Sequence, residues 1–291
     1  NENSRGDRQP EFTQLDIEMA YVNMEDIMDV NSRLFNEIVK EIYGNKWKLF
    51  PFRILTYYEA MKKYGTDRPD LRFGVEMEDI TDIVKETSFQ VFTKPIDEGG
   101  VVKCIKVAGD LSEKRLSKGQ IESLTLIAQQ NGLGGLAYII VNEHELQSPI
   151  IKYLGEDIAK KIIQKSEAVP GDIVFFSAAD YKTANNALSE VRLKMVNLIK
   201  PNELHPAWVI DFPLFEETEN GGWTFSHNPF SMPKKEHIQN HMEGKNIGRI
   251  LSQQYDMVLN GNEIGGGSVR AHKSVILEAT YRNMGYEQAD M

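Results

Sequence analysis

Residues 263–272 (EIGGGSVRAH) place one carboxylate, Glu263, and one guanidinium, Arg270, on either side of three successive glycines. Glycines inside a strand pattern lose conformational entropy and supply no packing, so the run predicts a bulge or a close backbone approach to a ligand, beside the plainer alternative of a glycine-rich turn. Glu263 and Arg270 are seven apart and would face opposite sides of an unbroken strand; they can share one pocket only if the glycines break the phase. Near the other end, residues 8–18 (RQPEFTQLDIE) carry a guanidinium, an amide and a carboxylate at the mouth of a strand-like segment. Gln14, Asp16 and Glu18 then follow on one face. Any half-solvated antiparallel strand alternates in this way, so the preceding cluster is what suggests a site. His227 sits in a proline-rich loop, residues 226–233 (SHNPFSMP), where a lone histidine is ordinarily a solvated polar residue.

The elements that must position these residues show in the periodicity. Residues 12–21 alternate with period two, which predicts a strand. Asn23 and Asp26 open a helix with Ile27, Val30, Leu34, Ile38 and Ile42 at helical spacing, and Gly44 supplies the stop. Thr56 and Glu59 form a capping box for a short helix ending at Gly65, followed by a polar loop to Gly74. From residue 88 to 199 short apolar strands alternate with amphipathic helices. Strands are expected at 89–93, 101–107, 136–141 and 172–177, and helices at 117–131, 148–165 and 180–198, with Ser117 and Gln120 as a further capping box. Strand-like residues 207–212 and 255–270 return to the style of the opening, as though one sheet were interrupted by an inserted unit.

These segments resemble bacterial-type aspartyl-tRNA synthetases, members of the class II aminoacyl-tRNA synthetases. Residues 5–18 are similar to the loop end and second strand of that class's second signature motif, and 263–270 to an active-site strand. Residues 226–233 are similar to the histidine-bearing loop, with Asn228 where many relatives carry a second histidine. The stretches 134–138 (GGLAY) and 171–176 (GDIVFF) resemble the GAD domain. The implied fold class is α+β: a partial class II antiparallel sheet core with helices, interrupted by an inserted α+β GAD-like domain. The implied division is residues 1–87 and 200–291 for the catalytic core and 88–199 for the insertion.

By residue, the resemblance implies that Gln9 and Glu263 contact ATP, that His227 and Arg270 contact aspartate, and that Asp16 helps orient the cations reading the substrate side chain. It implies an enzyme that activates L-aspartate with ATP and transfers it to tRNA, with Mg2+ arriving with ATP and no tightly bound cofactor. A homodimeric parent is implied too. An anticodon-binding barrel, the first signature motif and the Gly-Leu-Asp-Arg of the third fall outside the 291 residues. The chain is therefore expected to be an internal fragment, inactive alone. A reading from another class is a non-catalytic tRNA- or partner-binding module built on the GAD-like domain.

A formal charge of -10 argues against a broad basic face for nucleic acid but leaves room for a local tRNA contact. The single cysteine, Cys104, lies in an apolar run and reads as a core residue, consistent with a reducing, cytoplasmic setting. No apolar run approaches the roughly 18 residues of a membrane span. His144, His205, His237 and His241 show no ligand spacing, and no zinc signature is present.

Overall fold

The structure, a computed structural model, describes residues 11–44, 46–109, 116–199 and 202–287. Two main sheets organise it. A four-stranded sheet runs Asn262–Ser268, Gln254–Leu259, Pro206–Ile210, Arg53–Thr56 from edge to edge, antiparallel except for the last pair. A five-stranded antiparallel sheet runs Met77–Asp79, Val101–Val107, Ile173–Ala179, Ala137–Val141, Leu146–Gln147. The mixture of helices with largely antiparallel sheets is the α+β class that the sequence implies.

Each face of the four-stranded sheet takes a helix. Trp208, Tyr255 and Met257 point to one side and pack on Met24, Ile27, Met28 and Phe35 of helix Met24–Tyr43. There the Trp208 indole N–H donates to Ser32 Oγ at 2.9 Å. Val209 and Val258 point the other way, onto Tyr57 and Ala60 of helix Tyr57–Tyr64. Both helices begin where predicted, at the N-cap Asn23, which with Asp26 proves to be a full capping box, and at the capping box of Thr56 and Glu59, each satisfying two otherwise orphaned N–H groups. The five-stranded sheet is covered on both faces. Helices Lys118–Gln130 and Tyr181–Ile199 lie on one side with Ile105, Ile173 and Phe175, and helices Gln90–Asp97 and Glu156–Ser166 on the other with Val102, Cys104, Val174 and Phe176. Cys104 is a buried core residue, its thiol pushed up to about 12 by burial.

Three expected elements differ. Residues 12–21 form no regular element and pair with no strand among the described residues, and Leu15 and Tyr21 stand exposed. Period-two patterning makes a strand only where a partner completes the backbone ladder. Residues 89–93, expected as a strand, begin helix Gln90–Asp97. Phe89, Phe92 and Ile96 recur at helical spacing and pack into the core while Val91 is exposed, so burial overrides the β preference of the aromatic residues. The expected helix at 148–165 is two, Ile151–Leu154 and Glu156–Ser166, separated at Gly155, which has φ 80° and ψ 152°. Strand Met77–Asp79, ahead of residue 88, joins the five-stranded sheet by pairing with Val101–Val107.

The two sheets meet through a buried cation. Arg192, on helix Tyr181–Ile199, donates from Nε to Val75 O at 2.6 Å and from one terminal nitrogen to Asp70 O at 2.5 Å and Phe73 O at 3.2 Å. Its plane lies over Tyr64 and Phe73 at 4.8 and 4.3 Å. Burial pulls it down to about 10, partly opposed by Asp70. Nearby, Lys103 donates to Asn185 Oδ1 at 2.6 Å and to Lys62 O at 3.1 Å, and burial pulls it down to about 8.

Replacing Arg192 by Met removes its hydrogen bonds to the Asp70 and Val75 carbonyls, while Phe73 O keeps the Val75 N–H at 2.9 Å, and unfolding in urea should show a loss of about 3–5 kcal/mol. Arg33→Met, removing only an exposed helix pair, should change stability by less than about 0.5 kcal/mol. Similar losses in the two variants would remove Arg192 from this role. For Lys103 the lowered value means that between about pH 8 and 10.5 the unfolded chain holds a proton the folded chain has released, so stability rises with pH through that window. Cys104 acts oppositely, because its raised value makes stability fall above its ordinary value of 9.0. The difference between the unmodified chain and Lys103→Met isolates the lysine. It should change by about 3 kcal/mol across the window, and a difference independent of pH would refute the assignment.

Candidate functional site

The edge of the four-stranded sheet is a hairpin turned by Asn260 and Gly261, with φ of 49° and 87°. Positive φ at both central residues suits the right-handed twist of the flanking strands. From that turn the ladder pairs Leu259 with Asn262 and Val258 with Glu263, then Met257 with Gly265, so Ile264 is an extra, bulged residue. The predicted phase break is present, but Ile264 makes it, and the glycines that follow keep regular register through Gly265, Gly266 and Gly267. Residues opposed across an antiparallel ladder face the same side. Glu263, Gly266 and Ser268 therefore share the face of Val258, Asp256 and Gln254. Arg270 continues that phase, with one terminal nitrogen 3.4 Å from Ser268 Oγ.

The glycines have unequal roles. A Cβ on Gly266 would lie 2.6 Å from Asp256 Oδ1 and 3.6 Å from Glu263 Oε1, so its bare backbone forms a notch beside two carboxylates. On Gly267 a Cβ would press on the Tyr255 ring at 2.9–3.1 Å, from the opposite face. One on Gly265 would meet open space. Asp256 and Gln254 are buried polar residues on this face, with Gln254 Nε2 3.5 Å from Asp256 Oδ1. Neither was among the sequence candidates. The available signal was Gln254 and Asp256 alternating with Tyr255 and Met257, two polar groups at buried strand positions where apolar residues are the rule. Two neighbouring carboxylates are a donor set suited to Mg2+, which binds through one or two protein carboxylates with phosphate and water completing the shell. Among the described residues no cluster of three or more acidic, histidine or cysteine side chains could hold a metal by itself.

At the other end of the face, the loop carrying His227 is fastened to the strand carrying Arg270. Met232 N donates to Val269 O at 2.7 Å and Ala271 N to Phe230 O at 2.8 Å, with Ser231 bridged to Arg270. The Arg270 guanidinium lies over the Phe230 ring at 4.5 Å. His227 is exposed, its Nδ1 3.2 Å from Ser226 Oγ and its ring edge-on to Phe212 at 4.8 Å. Asn228 accepts from Ser231 Oγ at 2.8 Å, so the amide braces the loop. The same loop ends at Lys234, which donates to Asp211 Oδ1 at 2.8 Å. Burial pulls Lys234 down, but the hydrogen bond and charge of Asp211 outweigh it and leave the ammonium raised.

Of the sequence candidates, Glu263 and, two residues past the end of its strand, Arg270 share one phase, and pairing brings the loop that carries His227 to the Arg270 end. Asp16 is exposed, in a segment with no regular structure and no ladder partner among the described residues. Gln9 lies outside the described residues. His241 is buried, its Nε2 3.0 Å from Ile276 O, and burial pulls it down; it joins two helices.

Among the described residues no helix is long and apolar enough to cross a membrane. The sequence is 40% identical over 303 residues to an aspartate–tRNA(Asp/Asn) ligase of Aquifex aeolicus, an alignment covering 99% of this chain and 49% of the relative. A ligase of the same name from Persephonella marina is 41% identical over 98% of the chain and 48% of its own length. An aspartate–tRNA ligase of Clostridium tetani is 40% identical over 99% and 48%. The chain thus spans about half the length of the curated relatives it matches. The family of class II tRNA synthetases (D, K and N) matches residues 1–291, and the chain belongs to it.

Proposed function

We propose that the protein of which this chain forms part activates L-aspartate with ATP and transfers it to tRNA. One observation carries this reading: a strand face with a carboxylate notch at Gly266 and, toward its other end, a guanidinium, Arg270, that has no carboxylate within ion-pair distance among the described residues. Such a face suits a ligand with a cation-bridged polyphosphate at one end and a free carboxylate at the other.

In this reading the α-carboxylate of aspartate attacks the α-phosphorus of ATP in line, forming the acyl-phosphate bond as the bond to pyrophosphate breaks. A tRNA hydroxyl then attacks the acyl carbon and AMP leaves. Arg270 holds the side-chain carboxylate through its planar fork, which a carboxylate matches bidentately. His227 contacts the aspartate from the attached loop. Glu263 and Gln9 bind the ATP end, and Asp16 orients the cations around the substrate. Asp256 and Glu263 would hold Mg2+, which when bound neutralises phosphate charge. A homodimer fits the reading, as does division into core residues 1–87 and 200–291 around a GAD-like insertion at 88–199. Pairing of Met77–Asp79 with the second sheet favours moving the first boundary toward Arg72.

Aspartate and asparagine are nearly isosteric, so selection between them has to read charge. In the full-length protein Arg270→Ala should weaken aspartate in pyrophosphate exchange by on the order of a hundred- to several-thousand-fold. Arg270→Lys should recover only part, since it keeps charge but loses the fork. Aspartate activation within tenfold of the unmodified protein in Arg270→Ala would rule out the assignment. A glycine pair tests the other end: Gly266→Ala, which displaces Asp256, should raise the KM for ATP about tenfold, while Gly265→Ala should change it less than about twofold. Equal effects would show that the notch is not where ATP binds.

A further inference from the structure

We infer that Phe230 is a positioning residue for Arg270 and through it sets the preference for aspartate over asparagine; this rests on the carboxylate-reading role proposed for Arg270. The guanidinium lies over the Phe230 ring at 4.5 Å, within range for attraction between a cation and the negative face of an aromatic ring. A phenyl ring carries no oxygen or nitrogen acceptor, so this contact does not pair the guanidinium N–H groups with a polar atom. Arg270 is therefore held while keeping most of its fork free. Among the described residues its side-chain hydrogen bond is the long one to Ser268 Oγ, at 3.4 Å.

The shelf is itself fixed. Phe230 O accepts from Ala271 N at 2.8 Å and Met232 N donates to Val269 O at 2.7 Å, so the residues flanking Arg270 are tied to Phe230 itself and to Met232. The Ser231 hydroxyl, donating to Asn228 at 2.8 Å, closes the loop behind it. The ring is 43% exposed, although a phenylalanine would ordinarily be buried by its neighbours. Its position is explained by the cation it supports. An exposed arginine has rotamer entropy to lose when it engages a ligand, and a shelf that restricts it beforehand reduces that loss. The benefit goes to the ligand that uses the full fork, a carboxylate, more than to a carboxamide.

The test uses pyrophosphate exchange by the full-length protein. Phe230→Leu should raise the KM for aspartate about three- to tenfold, leave the KM for ATP within about twofold, and narrow the preference for aspartate over asparagine. Phe230→Trp, which restores an aromatic face, should recover the aspartate KM. Phe230→Met, similar in volume without a ring, serves as a second non-aromatic variant should Leu disturb the loop, and thermal melts of each verify the fold. An aspartate KM within twofold in both non-aromatic variants, a parallel rise in both KM values, or failure of Trp to recover would overturn the inference. Arg270→Lys separates the two levels. If it too leaves the aspartate KM unchanged, the role of Arg270 fails and the inference with it; if it raises that KM while Phe230→Leu and Phe230→Met do not, only the shelf fails.

Discussion

A single guanidinium, that of Arg192, ties the long helix of the five-stranded sheet to the segment that leaves the four-stranded one. It donates to the carbonyls of Asp70, Phe73 and Val75, and it is sandwiched near Tyr64 and Phe73. Residues 70–75 form no helix and no sheet, and apart from Val75 N donating to Phe73 O the carbonyls that Arg192 reaches depend on its side chain. Arginine can meet several at once because its donors are fixed in a fork, and its weak hydration makes burial less costly than for an ammonium. Lys103 nearby shows the contrast. Its compact charge reaches one carbonyl and one amide, and burial draws it down to about 8.

What this junction fixes, the site depends on. Helix Tyr57–Tyr64 contributes Tyr64 to the Arg192 sandwich and, one turn or more earlier, Tyr57 and Ala60 to the packing beneath Val209 and Val258. Val258 adjoins the bulge at Ile264 that brings Glu263 and Arg270 onto a common face. The path from the junction to the carboxylate notch is thus a chain of packed side chains. The five-stranded sheet can accompany the four-stranded one in this way without contributing a residue to the proposed ligand-binding face.

Local signals in the sequence were strong where the chemistry is local. Capping boxes at Asn23, Thr56 and Ser117 each need only a side chain and a backbone three residues apart, and all three helices start where those residues predict. Signals failed where a partner decides. Residues 12–21 have the right alternation but pair with no described strand, and residues 89–93 have β-favouring types whose burial follows helical spacing.

The site divides along the same line. Sequence alone marked Glu263, Arg270 and the glycines between them, and showed that the two charges could share a face only if the strand lost its phase. It also marked His227, through the resemblance of its loop. Tertiary structure decided that Ile264 breaks the phase, that Gly266 is bare because Asp256 comes close across the ladder, and that Phe230 lies beneath Arg270. Each of these depends on register between segments far apart in the chain or on which neighbour a strand acquires. Register is set by the sum of cross-strand contacts and burial over a whole sheet, so no short stretch of sequence encodes it.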